Sequence, residues 1–186
     1  MKIVFLDRNT ISPDTTLRTP AFAHEWVQYT RTRADEAAGR IRDADIVIVN
    51  KVKLSAETLA QAPRLKLIAV AAAGTDNIDL TACQEHGIVV SNVRNCATHT
   101  GPEHTFALIF ALRRSICAYR DAVKAGRWQE AAQFCFFDHP IRDIAGSTLG
   151  VIGDGVLGQA VASIGRALGM RVLFSAHKGR TGQGRL

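Results

Sequence analysis

Thr148-Leu149-Gly150-Val151-Ile152-Gly153-Asp154-Gly155-Val156-Leu157-Gly158 runs from a short apolar, β-prone segment straight into a G-x-G-x-x-G turn. The glycine spacing alone is a weak signal, so the flanks decide. Val156 to Leu168 repeats apolar residues with the period of a helix, Gly169 stands where that helix would stop, and Arg171 to Phe174 is a second β-prone run. Strand, turn, helix, strand is the order a dinucleotide-phosphate cradle needs, whereas a merely glycine-rich turn needs no such order. Gly153 permits the tight turn, Gly155 lets a pyrophosphate approach the backbone, and Gly158 lets helix and strand pack closely. The free N–H groups at the helix start, around Val156 and Leu157, face the anion.

In NAD-binding units a carboxylate about 20 residues past the turn holds the ribose 2′-OH. Here Ser175-Ala176-His177-Lys178 stand at that place. Without the acid, and with Lys178 and Arg180 nearby, the repulsion that excludes a 2′-phosphate is missing. NAD and NADP both stay open, and basic residues on an exposed loop explain the composition equally well.

Upstream of the turn, Ile3-Val4-Phe5-Leu6, Trp26-Val27, Ile46-Val47-Ile48-Val49, Leu67-Ile68-Ala69-Val70 and Ile88-Val89-Val90 read as strands buried on both faces. Amphipathic stretches alternate with them at Ala34 to Ile41, Ser55 to Gln61 and Leu80 to His86, with Ser55 as an N-cap and Gly87 as a C-terminal stop. This alternation predicts an α/β fold with a parallel, doubly wound sheet over residues 1–98. Residues 99–186 open a second domain. It begins with one long, buried helix from Gly101 to Ala125, with Pro102 and Glu103 in its first turn, continues as an irregular aromatic segment from Trp128 to Ile144, and reaches a buried strand at Leu149 to Ile152.

With 47% apolar residues the chain has material for a real core. The opening Met1 to Asp7 is too short and too soon charged for a signal peptide, and no apolar run reaches ~18 uncharged residues, so a cytoplasmic protein with no membrane contact is expected. Four cysteines, Cys83, Cys96, Cys117 and Cys135, lie far apart with no C-x-x-C pair, which points to reduced, mostly buried thiols and no metal site. The net charge of +6 is spread over Arg31, Arg33, Arg40, Arg42, Arg113 and Arg114, without the stripe and interleaved aromatics that grip a nucleic-acid backbone. No nucleic-acid partner is expected.

Three motifs resemble the D-2-hydroxyacid dehydrogenase family, in particular its glycerate dehydrogenase or hydroxypyruvate reductase branch. Ala72-Ala73-Gly74-Thr75-Asp76-Asn77-Ile78-Asp79 is similar to the family loop whose amides, here those of Ala73 and Gly74, receive the substrate carboxylate. Pro102-Glu103-His104-Thr105-Phe106-Ala107-Leu108 resembles the start of the interdomain helix, where the residue matching Thr105 lies beside the cofactor. Thr148 to Ala160 resembles the dinucleotide turn. The resemblance implies a flavodoxin-like substrate domain followed by the start of a Rossmann domain, NAD or NADP as cofactor, a small 2-hydroxy or 2-keto acid as substrate, and usually a homodimer. It also implies that the catalytic Arg, the Glu and the acid-base His lie past Leu186, so that this chain is a truncated form without turnover of its own. Gly101 stands where a larger apolar residue is expected, which would loosen the helix entry.

Other candidates are weighed against plainer roles. Lys51, just after Ile46 to Val49, points to the cleft edge where ligands of open α/β sheets bind, and is a candidate substrate contact. His104 reads as a packed or interface histidine, and His99 and His139 as surface residues. The rival to an oxidoreductase is a non-catalytic remnant or corepressor-like sensor that binds dinucleotide or carboxylate.

Overall fold

Runs rich in Val and Ile, too short for helices, pair in parallel in the computed structural model, which describes residues 1–175. The chain divides into two units, Met1–Arg94 and Asn95–Leu186. In the first, β1 (Lys2–Phe5), β2 (Glu25–Gln28), α1 (Ala34–Ile41), β3 (Ile46–Val49), α2 (Ala56–Leu59), β4 (Leu67–Val70), α3 (Leu80–Glu85) and β5 (Val89–Asn92) follow in order. Their sheet has the order β2-β1-β3-β4-β5, parallel throughout, which is the flavodoxin-like arrangement expected. Register brings Val4 beside Val27 and Val47, and Val47 beside Ile68. Val4, Val47 and Ile68 form the core with Leu6, Ile41, Leu54 and Leu59, each stabilising the unit by ~1.5–3 kcal/mol through burial, and half-buried Val27 packs against them.

Burial on both faces holds in full for Ile3 to Leu6, while in β3 and β4 every second residue is half-buried, and β2 and β5 are half-exposed because each has a neighbour on one side alone. Ser55 caps α2 as expected, its Oγ accepting from Thr58 N–H at 3.4 Å. The helix stops at Leu59, short of Gln61, because Gln61 N–H turns to the Thr58 carbonyl and tightens the last turn. Gly87 ends α3 with φ +67°, where a side chain would be strained.

The second unit holds α4 (Thr100–Arg113), α5 (Ile116–Lys124), α6 (Arg127–Glu130), β6 (Thr148–Ile152), α7 (Val156–Ala167) and β7 (Arg171–Ser175). The single helix expected from Gly101 to Ala125 is broken in two. Ser115 is left-handed at φ 50°, the Arg113 carbonyl accepts from Arg142 N–H at 2.9 Å, and Ser115 Oγ donates to the Pro140 carbonyl at 2.6 Å. A segment distant in sequence therefore takes the Arg113 carbonyl, an acceptor that would continue the helix, and holds Ser115 in its turn. The first half is not buried all round either. Pro102 and Phe106 are covered while Leu108, Phe110 and Leu112 are exposed, because the stripe that is covered is the one facing α7.

Two further expectations are corrected. Of the thiols only Cys83 is buried, which pushes its pKa up through desolvation; Cys96 lies exposed in a loop, Cys117 on the solvent side of α5, and Cys135 is half-buried. Strand β6 is covered at Val151, but Ile152 is 89% exposed, since β6 pairs with β7 alone among the described residues. The segment from Trp128 to Ile144 is irregular apart from the single turn of α6 at its start. No helix of the described residues is long and apolar enough to cross a membrane.

Candidate functional site

The glycine turn behaves as three different residues. Gly153 has φ +97°, which fixes the sharp reversal out of β6. A Cβ on Gly158 would stand 2.0 Å from the Gly153 carbonyl oxygen and 3.4 Å from Val151 Cγ1, so the first turn of α7 can rest on the strand only if that position is bare. A Cβ on Gly155 would meet nothing within 4 Å, and its backbone is ordinary at φ −70°. Nothing among the described residues demands glycine there, and they leave the space in front of it open. Gln159 N–H bonds the Gly155 carbonyl at 2.9 Å, so the amides of Val156, Leu157 and Gly158, one turn earlier, lie in the part of α7 that has no intrahelical acceptor. An anion is favoured there by those N–H groups and by the helix dipole.

Thr105 is half-buried on α4, and its hydroxyl donates to the Gly101 carbonyl at 2.8 Å. A Cβ on Gly101 would lie 3.9 Å from both Ala97 Cβ and Leu157 Cδ2, ordinary contact distances. The entry of α4 therefore runs beside the start of α7, Thr105 stands one turn further along, and the helix forms from Thr100 despite the glycine. Ala176, His177, Lys178 and Arg180, on which the choice between NAD and NADP turns, lie outside the described residues.

In the first unit, Lys51, Ala73 and Gly74 come to one edge of the sheet, where β1, β3, β4 and β5 end. Ala73 and Gly74 are exposed, and neither amide has a hydrogen-bond partner among the described residues. Asn92, at the end of β5, donates to the Ala73 carbonyl at 2.6 Å, so the N–H of that trans peptide, which is Gly74's, points away from Asn92. A Cβ on Gly74 would meet Asp76 Oδ1 at 2.9 Å. Lys51 is exposed, with no ion pair among the described residues. Two amides and an ammonium at one strand edge suit a carboxylate.

Sequence reasoning missed what shapes this edge. The Asp7 carboxylate, 3% exposed, accepts from the amides of Asn50 (2.9 and 3.2 Å), Lys51 (2.6 Å) and Val52 (3.3 Å). Asn77 Nδ2 donates to the carbonyls of Val52 (2.9 Å) and Asn50 (3.4 Å). The described histidines do not form a site. His99 and His104 are exposed, so His104 is not packed, and His139 lies edge-on against Tyr119. No group of His, Cys, Asp and Glu among the described residues could hold a metal.

Over residues 5–176 the sequence matches the family described as D-isomer specific 2-hydroxyacid dehydrogenase, catalytic domain. The chain belongs to that family. The sequence is 51% identical over 173 residues to a glycerate dehydrogenase of Methylorubrum extorquens, covering 92% of the chain and 54% of the relative. It is 33% identical over 183 residues to a hydroxypyruvate reductase of Blautia hydrogenotrophica, covering 96% and 57%. The chain thus spans about half the length of the curated relatives it matches. Among solved structures it is similar to an NADPH-dependent glyoxylate/hydroxypyruvate reductase of Sinorhizobium meliloti in complex with citrate, at TM-score 0.77 and 25% identity over 98% of this chain and 56% of that one. A D-lactate dehydrogenase of Aquifex aeolicus complexed with NAD and lactic acid gives TM-score 0.73 and 28% identity over 97% and 53%.

Proposed function

We propose that the chain supplies the substrate domain, residues 1–98, and the phosphate cradle, within residues 99–186, of a cytoplasmic oxidoreductase of small D-2-hydroxy and 2-keto acids of the glycerate, hydroxypyruvate and glyoxylate type. The observation that carries this reading is the turn in which Gly158 can bear no side chain while Gly155 faces open space. The first feature serves the fold; the second serves only something that approaches from outside. A nicotinamide dinucleotide bound there supplies hydride exchange at the substrate carbon. The amides of Val156, Leu157 and Gly158 receive its pyrophosphate, and Thr105 lends a polar group at the neighbouring helix entry. Both NAD and NADPH occur among the structural relatives, and we leave both as cofactors.

On the substrate side, the Ala73 and Gly74 amides bind and orient the carboxylate, and Lys51 adds positive charge at the same edge. Proton exchange at the substrate hydroxyl is not assigned to any residue of this chain, and the 186 residues assayed alone are proposed to be inactive. Titration with hydroxypyruvate, followed by amide chemical shifts, tests the carboxylate site: the Ala73 and Gly74 signals should move together. Shifts clustered at Arg113 and Arg114 instead would refute it. Parallel titrations with NADH and NADPH should move Val156 to Gly158.

A further inference from the structure

We infer that Asp7 is a positioning residue for the substrate edge: its buried carboxylate fills the three-amide nest of Asn50, Lys51 and Val52 and so presents Lys51 to the substrate carboxylate. The inference rests on the carboxylate site proposed above and names what holds its cationic member in place.

In the order β2-β1-β3-β4-β5 the chain reverses its winding between β1 and β3, and the crevice beyond the ends of those two strands is where open α/β sheets bind ligands. Asp7 follows β1, and Asn50 to Val52 follow β3. A buried carboxylate is costly to desolvate, and Asp7 has no cation paired with it among the described residues. What satisfies it is three successive amides, the arrangement that otherwise makes an anion receptor. The same peptide segment is held from its carbonyl side by Asn77 Nδ2. Asn77 belongs to the loop that carries Ala73 and Gly74, so the two halves of the carboxylate site are fixed to one another.

Two consequences follow. The nest at residues 50–52 is closed to a substrate anion, which leaves Ala73 and Gly74 as the open amides at this edge. The Lys51 backbone is pinned at 2.6 Å to Asp7 while its side chain stays exposed, so the ammonium starts from a fixed point instead of a loose loop. Neither role needs Asp7 to touch the substrate.

The test is a double-mutant cycle on the 186-residue chain, with Asp7→Asn, Lys51→Met and both together, titrated with hydroxypyruvate while the Ala73 and Gly74 amides are followed. Asp7→Asn keeps the shape but turns a donor toward donors. Each single change is expected to weaken binding about tenfold, the scale of one hydrogen bond to a charged group. The double variant should be no weaker than either single one, since both remove the same ammonium from its place. Multiplying effects, or an Asp7→Asn protein that melts lower yet binds as the wild type does, overturns the inference in favour of a purely structural Asp7. Lys51→Met keeps it falsifiable should Asp7→Asn fail to fold: unchanged affinity there means Lys51 is not presented to the substrate. If the wild-type Ala73 and Gly74 signals never respond, the carboxylate site itself falls. If they respond equally in all four proteins, the site stands and Asp7 has no part in it.

Discussion

Gly155 and Gly158 separate binding from folding within one turn. Gly158→Ala forces a methyl to within 2.0 Å of a backbone oxygen that cannot swing away, and a loss of about 1–3 kcal/mol is expected from the resulting displacement of α7. Gly155→Ala meets no atom of the described residues and should leave stability within about 1 kcal/mol. It should nonetheless weaken the dinucleotide, because its methyl occupies the approach to the helix-start amides. Thermal melts of the two variants, read beside NADH titrations, check the pair; a Gly155→Ala protein that binds NADH undiminished would remove the phosphate from that place. Gly101 is a third case. Its helical backbone and the 3.9 Å clearances predict that Gly101→Ala raises stability by about 0.5–1 kcal/mol, measurable as a higher denaturation midpoint in urea.

At the scale of elements, the start of the first sheet is tied by charge. Asp45 accepts from Lys2 N–H at 2.7 Å and from Arg64 at 3.0 and 3.1 Å, and Lys2 Nζ bonds Asp43 at 2.8 Å, so the entries of β1 and β3 share one network. The Lys2 amide, and then Arg64, hold the Asp45 carboxyl below the ordinary range; Lys2 Nζ does the same for Asp43, and Arg127 for Asp138 in the second unit. A carboxyl whose folded pKa is depressed contributes stability in full above its unfolded value of about 4 and loses it as pH falls through the folded value. Melting temperature should therefore drop below pH ~4, and the acid slope should be shallower in Asp45→Asn; equal slopes would mean Asp45 carries no part of the acid sensitivity.

The sheet and the glycine turn were legible in the sequence because their signals are local. Four-residue Val and Ile runs admit few other readings, and Gly153, Gly158 and Gly169 are demanded by backbone geometry within a few residues of themselves. Asp7 was not legible. Its partners lie about forty residues away, and they are backbone amides, which leave no mark on residue identity. The break at Ser115 escaped for the same reason, being imposed by residues 140–142.

For the molecule as a whole, the sharpest expectation concerns turnover. Hydride exchange with a 2-keto acid needs a group that exchanges the hydroxyl proton and a cation that orients the carbonyl, and family resemblance puts the imidazole and the arginine past residue 186. The described histidines offer no substitute: His24 Nδ1 lies 2.7 Å from the Phe22 carbonyl, His139 packs on Tyr119, and His86, His99 and His104 are exposed without a carboxylate hydrogen-bonded to the ring. Lacking an acid-base group would alone forfeit about 10²–10⁴ in rate, and lacking the arginine would forfeit orientation as well. Packing points the same way. Strand β6, which carries the glycine turn, has one neighbour among the described residues and leaves Ile152 almost fully exposed, and a two-stranded sheet holds a turn less rigidly than a paired central strand does. The 186-residue chain is therefore expected to oxidise neither NADH nor NADPH with hydroxypyruvate above background. Joined to the remaining segment of a full-length relative, it should gain turnover, and the Ile152 amide should become protected from exchange. Activity in the chain alone, abolished by His104→Gln, would instead assign the proton to that exposed imidazole and overturn the division of labour argued here.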